Sequence, residues 1–230
     1  MEPFILDQIP FAVDRDGLKA KLHVKEEGTY LDSLLRLTDE AERIARPKGL
    51  YRLSFIDSKG DGHVIVEGVK LKSRVLRVNL EQAQRVFPFV ATCGMELEDW
   101  ANGIDDMVHR YWAESIKEMA LRVASQAVED HLMATFRPGK VARMGPGSLS
   151  DWPIEQQRPL FQILGNPRDS IGVSLTESLL MIPTKSISGI RFPTEESFES
   201  CQLCPREVCS NRRAPFDPTL FDKKYRQDIR

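Results

Sequence analysis

The sequence lacks several features that would assign it to a common class of protein. No window approaches about eighteen consecutive apolar residues, and no basic segment precedes an apolar stretch at the start, so we expect neither a membrane span nor a signal peptide. Neither sign of charge dominates, with 32 Lys and Arg against 34 Asp and Glu, which argues against a nucleic-acid partner. The sequence also has no HExxH, GxSxG, P-loop or dinucleotide-binding motif, so none of those chemistries is indicated.

Cysteine is scarce but unevenly placed. The chain has 4 cysteines, too few for a disulfide framework, and we therefore expect a reducing cytoplasm as its location. Cys201, Cys204 and Cys209 share one polar, turn-forming stretch, Cys-Gln-Leu-Cys-Pro-Arg-Glu-Val-Cys. A two-residue spacer lets both sulfurs turn toward one ion, so this stretch predicts a metal site. Cys93 is the candidate fourth ligand, although a lone cysteine at a strand end is more often a small buried hydrophobe.

Three interpretations of the cysteine stretch stay open at the level of sequence. The first is an iron–sulfur cluster, since clustered thiolates are its usual ligands. The second is a structural zinc ion that closes the C-terminal tail onto the body of the protein. The third is a set of free thiols without any metal.

Apolar periodicity predicts three helices. Residues 30–46 carry apolar side chains at three- and four-residue spacing and end at a Pro-Lys-Gly stop. Residues 105–136 show the longest such pattern, with Asp at the start and Arg-Pro-Gly at the end. A third helix is predicted from Pro153 to Leu164, with Asp151 as its cap.

Alternating and β-branched residues predict strands between these helices. Tyr51–Ile56 and His63–Val66 flank a Gly-Asp-Gly turn and form a predicted hairpin. Val75–Leu80, Val86–Thr92 and Lys185–Phe192 are predicted as further strands. Because strands and helices do not alternate regularly, the predicted fold class is α+β.

The loop after the longest predicted helix is the second informative feature. Gly145, Pro146 and Gly147 make a tight path with few side chains, which exposes backbone groups that can line a small-molecule site. Arg143, just before them, can bind a carboxylate through two parallel hydrogen bonds. The alternative is an ordinary connection between helices.

A family resemblance emerges when this loop is combined with the next fifty residues of the chain. Arg143-x-x-Pro146-Gly147, a helix that starts at proline, and then the stretch LTESLLMIPTKSISGIRF resemble the S-adenosylmethionine-binding activation domain of cobalamin-dependent methionine synthase. The similarity is strongest over residues 143–192, and it is greatest to stand-alone members found beside corrinoid methyltransferases. It divides the chain into an N-terminal α/β part at 1–95 that can extend the main sheet, an activation-domain-like core at 96–195 and a Cys-rich tail at 196–230.

The resemblance implies a fold and a binding site. The fold is an α+β domain around a twisted antiparallel sheet with long helices. Arg143 holds the methionine carboxylate of S-adenosylmethionine, the backbone from Gly145 to Gly147 meets the rest of the ligand, and Ser148 and Glu177 complete the set. The family usually has Tyr where Ser148 stands.

The resemblance also implies a partner and a task. Domains of this family cap the cobalamin of a corrinoid protein or methionine synthase and reactivate it, using the methyl group of S-adenosylmethionine and one electron from an external reductant. An iron–sulfur cluster in the cysteine stretch would supply that electron. No nucleic-acid or membrane partner is expected.

Two rival functions remain beside this one. The chain can be a zinc- or iron–sulfur-stabilised module that caps a corrinoid protein without binding S-adenosylmethionine, or a free-standing methyltransferase with an unrelated substrate. Ser148 favours the capping module, whereas Arg143 and the Leu-Thr-Glu-Ser stretch favour the reactivating function.

Overall fold

The computed structural model describes residues 2–25, 27–196, 198–209 and 212–226. Eight strands form one antiparallel sheet and two short strands pair separately. The strands are β1 Phe4–Leu6, β2 Lys48–Tyr51, β3 Ser54–Gly60, β4 His63–Val66, β5 Val69–Lys72, β6 Arg85–Thr92, β7 Val141–Met144, β8 Ser174–Leu175, β9 Met181–Ile182 and β10 Ser186–Pro193. The helices are α1 Arg15–Leu22, α2 Thr29–Ile44, α3 Arg74–Asn79, α4 Met95–Asn102, α5 Met107–Phe136, α6 Gln157–Leu164 and α7 Pro167–Ile171. This architecture confirms the α+β prediction with an antiparallel sheet and a long helix.

Strand β6 organises the main sheet. It pairs with β2 and β3 along one side and with β10 along the other, and β10 in turn pairs with β7. Seven of its eight residues are buried, as expected of a strand with neighbours on both sides. Strands from the first part of the chain and strands from the later part therefore belong to one sheet, while the proposed division at 95 and 195 stays a prediction.

Helix α5 is the long helix that the sequence predicts. Asp106 caps its start, where the carboxylate accepts from the backbone N–H of His109 at 2.8 Å. Its buried side runs through small residues such as Ala120 and Ala124, whereas the larger apolar Val108 near its start is exposed. Small residues allow the closer approach, so packing overrides the simple apolar pattern.

The prediction of a strand at Val75–Leu80 is wrong. This segment forms α3, whose first turn is capped by Ser73 and by Asp151. The Asp151 carboxylate accepts from the backbone N–H groups of Arg74 at 3.2 Å and Val75 at 2.9 Å. The assignment of Asp151 as the cap of the third predicted helix is therefore also wrong, because that carboxylate serves α3 instead.

The third predicted helix is present with a different beginning. A 3-10 turn over Ile154–Gln156 follows Pro153, and α6 continues from it to Leu164. The other helix and strand predictions are confirmed, with Tyr51 assigned to β2 rather than to the hairpin. No helix in the described ranges is long and apolar enough to cross a membrane.

Two glycines let β7 and β10 approach each other closely. A Cβ atom at Gly189 would overlap the carbonyl oxygen of Met144, and one at Gly145 would lie 2.7 Å from the carbonyl oxygen of Ser188. Both obstacles are backbone atoms, so a side chain could be accommodated only if the strands moved apart.

Gly189→Ala is therefore expected to lower the free energy of unfolding by about 1–3 kcal/mol, the usual range for an overpacked position. Urea denaturation followed by circular dichroism measures the change. Gly103→Ala is the matched control, because its nearest neighbouring atom would be 3.5 Å away and the change should stay within about 1 kcal/mol. Equal stability of the two variants would contradict the close approach of the strands.

Candidate functional site

The segment after β7 folds into a tight turn. The Ser148 N–H donates to the Gly145 carbonyl oxygen at 3.2 Å, and Gly147 between them has a φ of 80°. This is the geometry of a type II turn, which favours Pro at its second position and Gly at its third. The Pro146-Gly147 pair is thus explained by the backbone, and the Ser148 hydroxyl reinforces the turn by donating to the same oxygen at 2.5 Å.

Arg143 lies at the end of β7 in a half-buried position. Burial, with the nearby positive charges of Arg213 and Arg191, lowers its pKa to about 10, against the weaker opposing effect of Glu199 and Glu129. The guanidinium therefore stays charged at neutral pH. Its one hydrogen bond to a described residue is to the Ser125 hydroxyl at 3.5 Å.

A cleft of about 1110 Å³ opens beside Arg143. Five parts of the chain line it: the end of α1, one side of α5, the end of β7 with the turn after it, the start of β10, and the tail around the cysteines. The described residues that contribute are Lys21, Glu118, Leu121, Arg122, Ser125, Arg143, Gly145, Pro146, Ser148, Lys185, Ile187, Ser188, Ser200, Cys201, Cys204, Arg212 and Arg213. The turn and the cysteine stretch, 50 residues and more apart along the chain, thus share one site.

Most cations of this cleft already have carboxylate partners. Glu118 accepts from Lys21 at 2.7 Å and from Arg122 at 2.6 Å. Lys185 pairs with Glu114 at 3.2 Å, and Arg213 pairs with Glu199 at 2.8 Å.

Arg143 differs from these cations. Within the described part of the chain it forms no ion pair, so its guanidinium is left for an anion from outside the chain.

A buried ionic cluster positions the wall of the cleft formed by β10. The Lys117 ammonium lies 2.8 Å from Glu98 and 2.6 Å from Glu114, and it donates to the Thr184 hydroxyl at 3.2 Å. Glu98 accepts from the backbone N–H of Thr184 at 3.0 Å. Thr184 directly precedes Lys185, so the cluster connects α4 and α5 to the start of the wall.

Lys117 and Glu114 are both held in their charged forms, because their ionic partners outweigh the effect of burial. Burial alone would lower the pKa of Lys117, but its bonds to Glu114 and Glu98 outweigh burial and raise that pKa. Burial likewise works to raise the pKa of Glu114, yet the ammonium groups of Lys117 and Lys185 lower it overall.

The cysteine stretch is ordered by one arginine. Arg212 donates to the carbonyl oxygens of Cys201 at 3.3 Å, of Ala214 at 3.4 Å and of Cys204 at 3.5 Å, and it also contacts the carbonyl oxygen of Arg206. Cys201 lies in a 3-10 turn over Ser200–Leu203, and Cys204 follows that turn directly.

The predicted metal ligands do not assemble in the described residues, where no group of three or more His, Cys, Asp or Glu side chains could hold a metal ion. Cys201 and Cys204 border the cleft, whereas Cys209 is not among its lining residues. Cys93 is fully buried and does not line the cleft, and burial raises the pKa of its thiol to about 12. As they lie in the described residues, these side chains do not form a zinc or iron–sulfur site, and the assignment of a metal to them stays a prediction.

The structure brings most of the predicted ligand residues to the cleft. Arg143, Gly145, Pro146 and Ser148 border it, while Gly147 supports the turn without lining the site. Glu177 is exposed between β8 and β9 and is not among the described lining residues.

Sequence reasoning missed several members of the site. Glu118, Arg122 and Ser125 come from the polar side of α5, where their spacing of four and three residues was the available signal. Arg212 and Arg213 lie in an irregular stretch where no periodicity marks them.

Comparison with known proteins finds similarity in structure but none in sequence. No protein-family model matches the sequence, and no curated protein matches it. The structure is similar to a solved structure, the MetH reactivation domain bound to AdoHcy (S-adenosylhomocysteine), with a TM-score of 0.61 over 87% of this chain and 81% of that chain. The sequence identity of 13% shows a shared fold alone.

Proposed function

We propose that this protein binds S-adenosylmethionine and acts as an accessory protein that reactivates the cobalamin of a corrinoid protein or of methionine synthase. The observation that carries the proposal is Arg143, a half-buried guanidinium on the wall of a large cleft that forms no ion pair with any described residue. The fold that presents it is similar to a reactivation domain bound to AdoHcy.

The residues around Arg143 fit the methionine portion of that ligand. A planar guanidinium suits bidentate binding of a carboxylate, and the half-buried position makes such a bond stronger than one at the surface. The backbone of Gly145 and Pro146 and the nearby Ser188 border the space beside it.

Each of these residues has a binding or supporting task. Arg143 binds and orients the carboxylate, the type II turn through Gly147 and Ser148 holds the rim rigid, and Glu177 is proposed as a further ligand residue from outside the lining. When bound, S-adenosylmethionine supplies a methyl group for the partner's cobalt.

The proposed site predicts a footprint on the cysteines. Saturating S-adenosylmethionine should slow alkylation of Cys201 and Cys204 by N-ethylmaleimide at least roughly threefold, because both sulfurs border the cleft that the ligand fills. Peptide mass mapping after timed quenching measures each rate separately.

Cys209 is the internal control, since it does not line the cleft and its alkylation rate should not change. 5′-Methylthioadenosine, which keeps the adenosine and sulfur but carries no carboxylate or other anionic group, serves as the ligand control and should protect less at the same concentration. Unchanged rates at all three cysteines, with no ligand retained in equilibrium dialysis, would favour the rival function of a capping module that does not bind S-adenosylmethionine.

A further inference from the structure

Cys201 lies within a short 3-10 turn, and Cys204 is the residue at which that turn ends. The residues occupy positions i and i+3, and the Cys204 N–H donates to the Cys201 carbonyl oxygen at 3.3 Å. A rise of about 2 Å per residue in a 3-10 turn separates the Cα atoms of residues i and i+3 by about 6 Å. That separation falls in the range that a disulfide bond requires.

The surroundings hold this pair in place at the cleft. The Arg212 guanidinium binds the carbonyl oxygens of both cysteines, which fixes the two ends of the turn relative to each other. The Arg213 backbone N–H donates to the Cys201 sulfur at 3.5 Å. Both cysteines are free, and both border the cleft, so a small thiol reagent can reach them.

The number of ligands argues against a metal at this pair. The described residues supply no third His, Cys, Asp or Glu ligand beside Cys201 and Cys204, and Cys93 is fully buried and does not line the cleft. Two adjacent, accessible thiols are instead the minimum that thiol–disulfide exchange needs.

We infer that Cys201 and Cys204 form a redox-active dithiol at the rim of the cleft. The oxidant is a low-molecular-weight disulfide such as glutathione disulfide. One cysteine thiolate attacks it, forming a mixed disulfide and releasing one glutathione thiolate, and the other cysteine then displaces the second. Two electrons pass from the protein sulfurs to the oxidant, and the two thiol protons end on the two released glutathione molecules.

The conversion of the Cys201–Cys204 dithiol to a disulfide would link the redox state of the protein to the shape of the cleft rim. Closing the disulfide replaces two separate thiols by one covalent bridge that borders the same space as Arg143. An effect of the disulfide on ligand binding rests on the proposed function, whereas formation of the disulfide does not.

In the test, the full-length, reduced protein is equilibrated in buffers that differ in the ratio of glutathione to glutathione disulfide. Each sample is then quenched with acid, alkylated and mapped by mass spectrometry of its tryptic peptides. Cleavage after Arg191 and Arg206 places Cys201 and Cys204 in one peptide and Cys209 in the next. We expect the first peptide to lose two hydrogens and resist alkylation as the buffer becomes oxidising. The same should hold in Cys209→Ser, whereas Cys204→Ser and Cys201→Ser should yield only mixed disulfides with glutathione.

Three results would overturn the inference. One is a disulfide that joins Cys209 to either of the others as the main product. Another is glutathione adducts on the wild-type protein that never close to the internal bridge. The third is stoichiometric iron or zinc retained through these cysteines after anaerobic purification. None of these readouts depends on S-adenosylmethionine, so a failed disulfide and a failed ligand-binding experiment are distinguishable.

Discussion

Lys117→Met should lower the free energy of unfolding by about 3–5 kcal/mol, because it leaves a buried carboxylate without its cation. The side chains of Lys117 and Glu98 are 1% and 6% exposed, so water cannot replace the lost ammonium. The Thr184 backbone depends on the same carboxylate, and the loss therefore extends to the start of β10. Urea denaturation monitored by circular dichroism gives the change in stability.

Lys21→Met is the matched control for this substitution. Its ammonium also pairs with a carboxylate, Glu118 at 2.7 Å, but that lysine side chain is 42% exposed. An exposed pair of this kind contributes about 0–1 kcal/mol. The double variant Glu98→Gln with Lys117→Met should recover part of the loss, since the neutral amide can still accept from Thr184. A loss below about 1 kcal/mol in Lys117→Met would contradict the buried ionic cluster.

Arg143→Ala should weaken binding of AdoHcy by about 2 kcal/mol or more, which corresponds to a loss of roughly 30-fold in affinity. The reason is that the carboxylate of the ligand would lose a charge-assisted, bidentate partner in a half-buried site. The affinity of Arg143→Lys should fall between those of the wild type and Arg143→Ala, because an ammonium restores the charge without the planar pair of donors. Isothermal titration calorimetry measures all three affinities.

Arg122→Ala controls for the general charge of the cleft. Arg122 lines the same cleft, but its side chain is 66% exposed and paired with Glu118. Its removal should change the affinity less than threefold, in line with the small energies of exposed charges. Equal losses in the two variants would show that Arg143 acts only through long-range charge. Thermal unfolding of each variant verifies that the fold is retained.

The elements that the sequence predicts well are those with a strong local signal. Helices α2 and α5 have long apolar periods and clear stops, and β6 and β10 are runs of apolar and β-branched residues. The sequence predicts α3 wrongly as a strand because its six residues are too few to display a helical period. Its decisive cap, Asp151, comes from more than 70 residues away in the chain.

The candidate site also has a part that the sequence predicts and a part that it does not. Arg143 and the Pro146-Gly147 turn form a local motif, so the sequence alone points to them. The cleft itself depends on the pairing of β7 with β10 and on the β-bridge of Arg143 with Glu199 at the start of the tail, and both contacts join distant parts of the chain. No local pattern shows that Cys201 and Cys204 would face the same space as Arg143.

The proposed function depends on recognition of the carboxylate of an S-adenosyl ligand by Arg143, and one calorimetric cycle isolates that contact. Wild-type protein and Arg143→Ala are each titrated with AdoHcy and with 5′-methylthioadenosine, which keeps the adenosine and sulfur but lacks the carboxylate. We expect the wild type to prefer AdoHcy by roughly 30-fold and Arg143→Ala to show little preference. A preference that persists unchanged in Arg143→Ala, or a wild type that binds no AdoHcy at about 1 mM, would contradict this recognition.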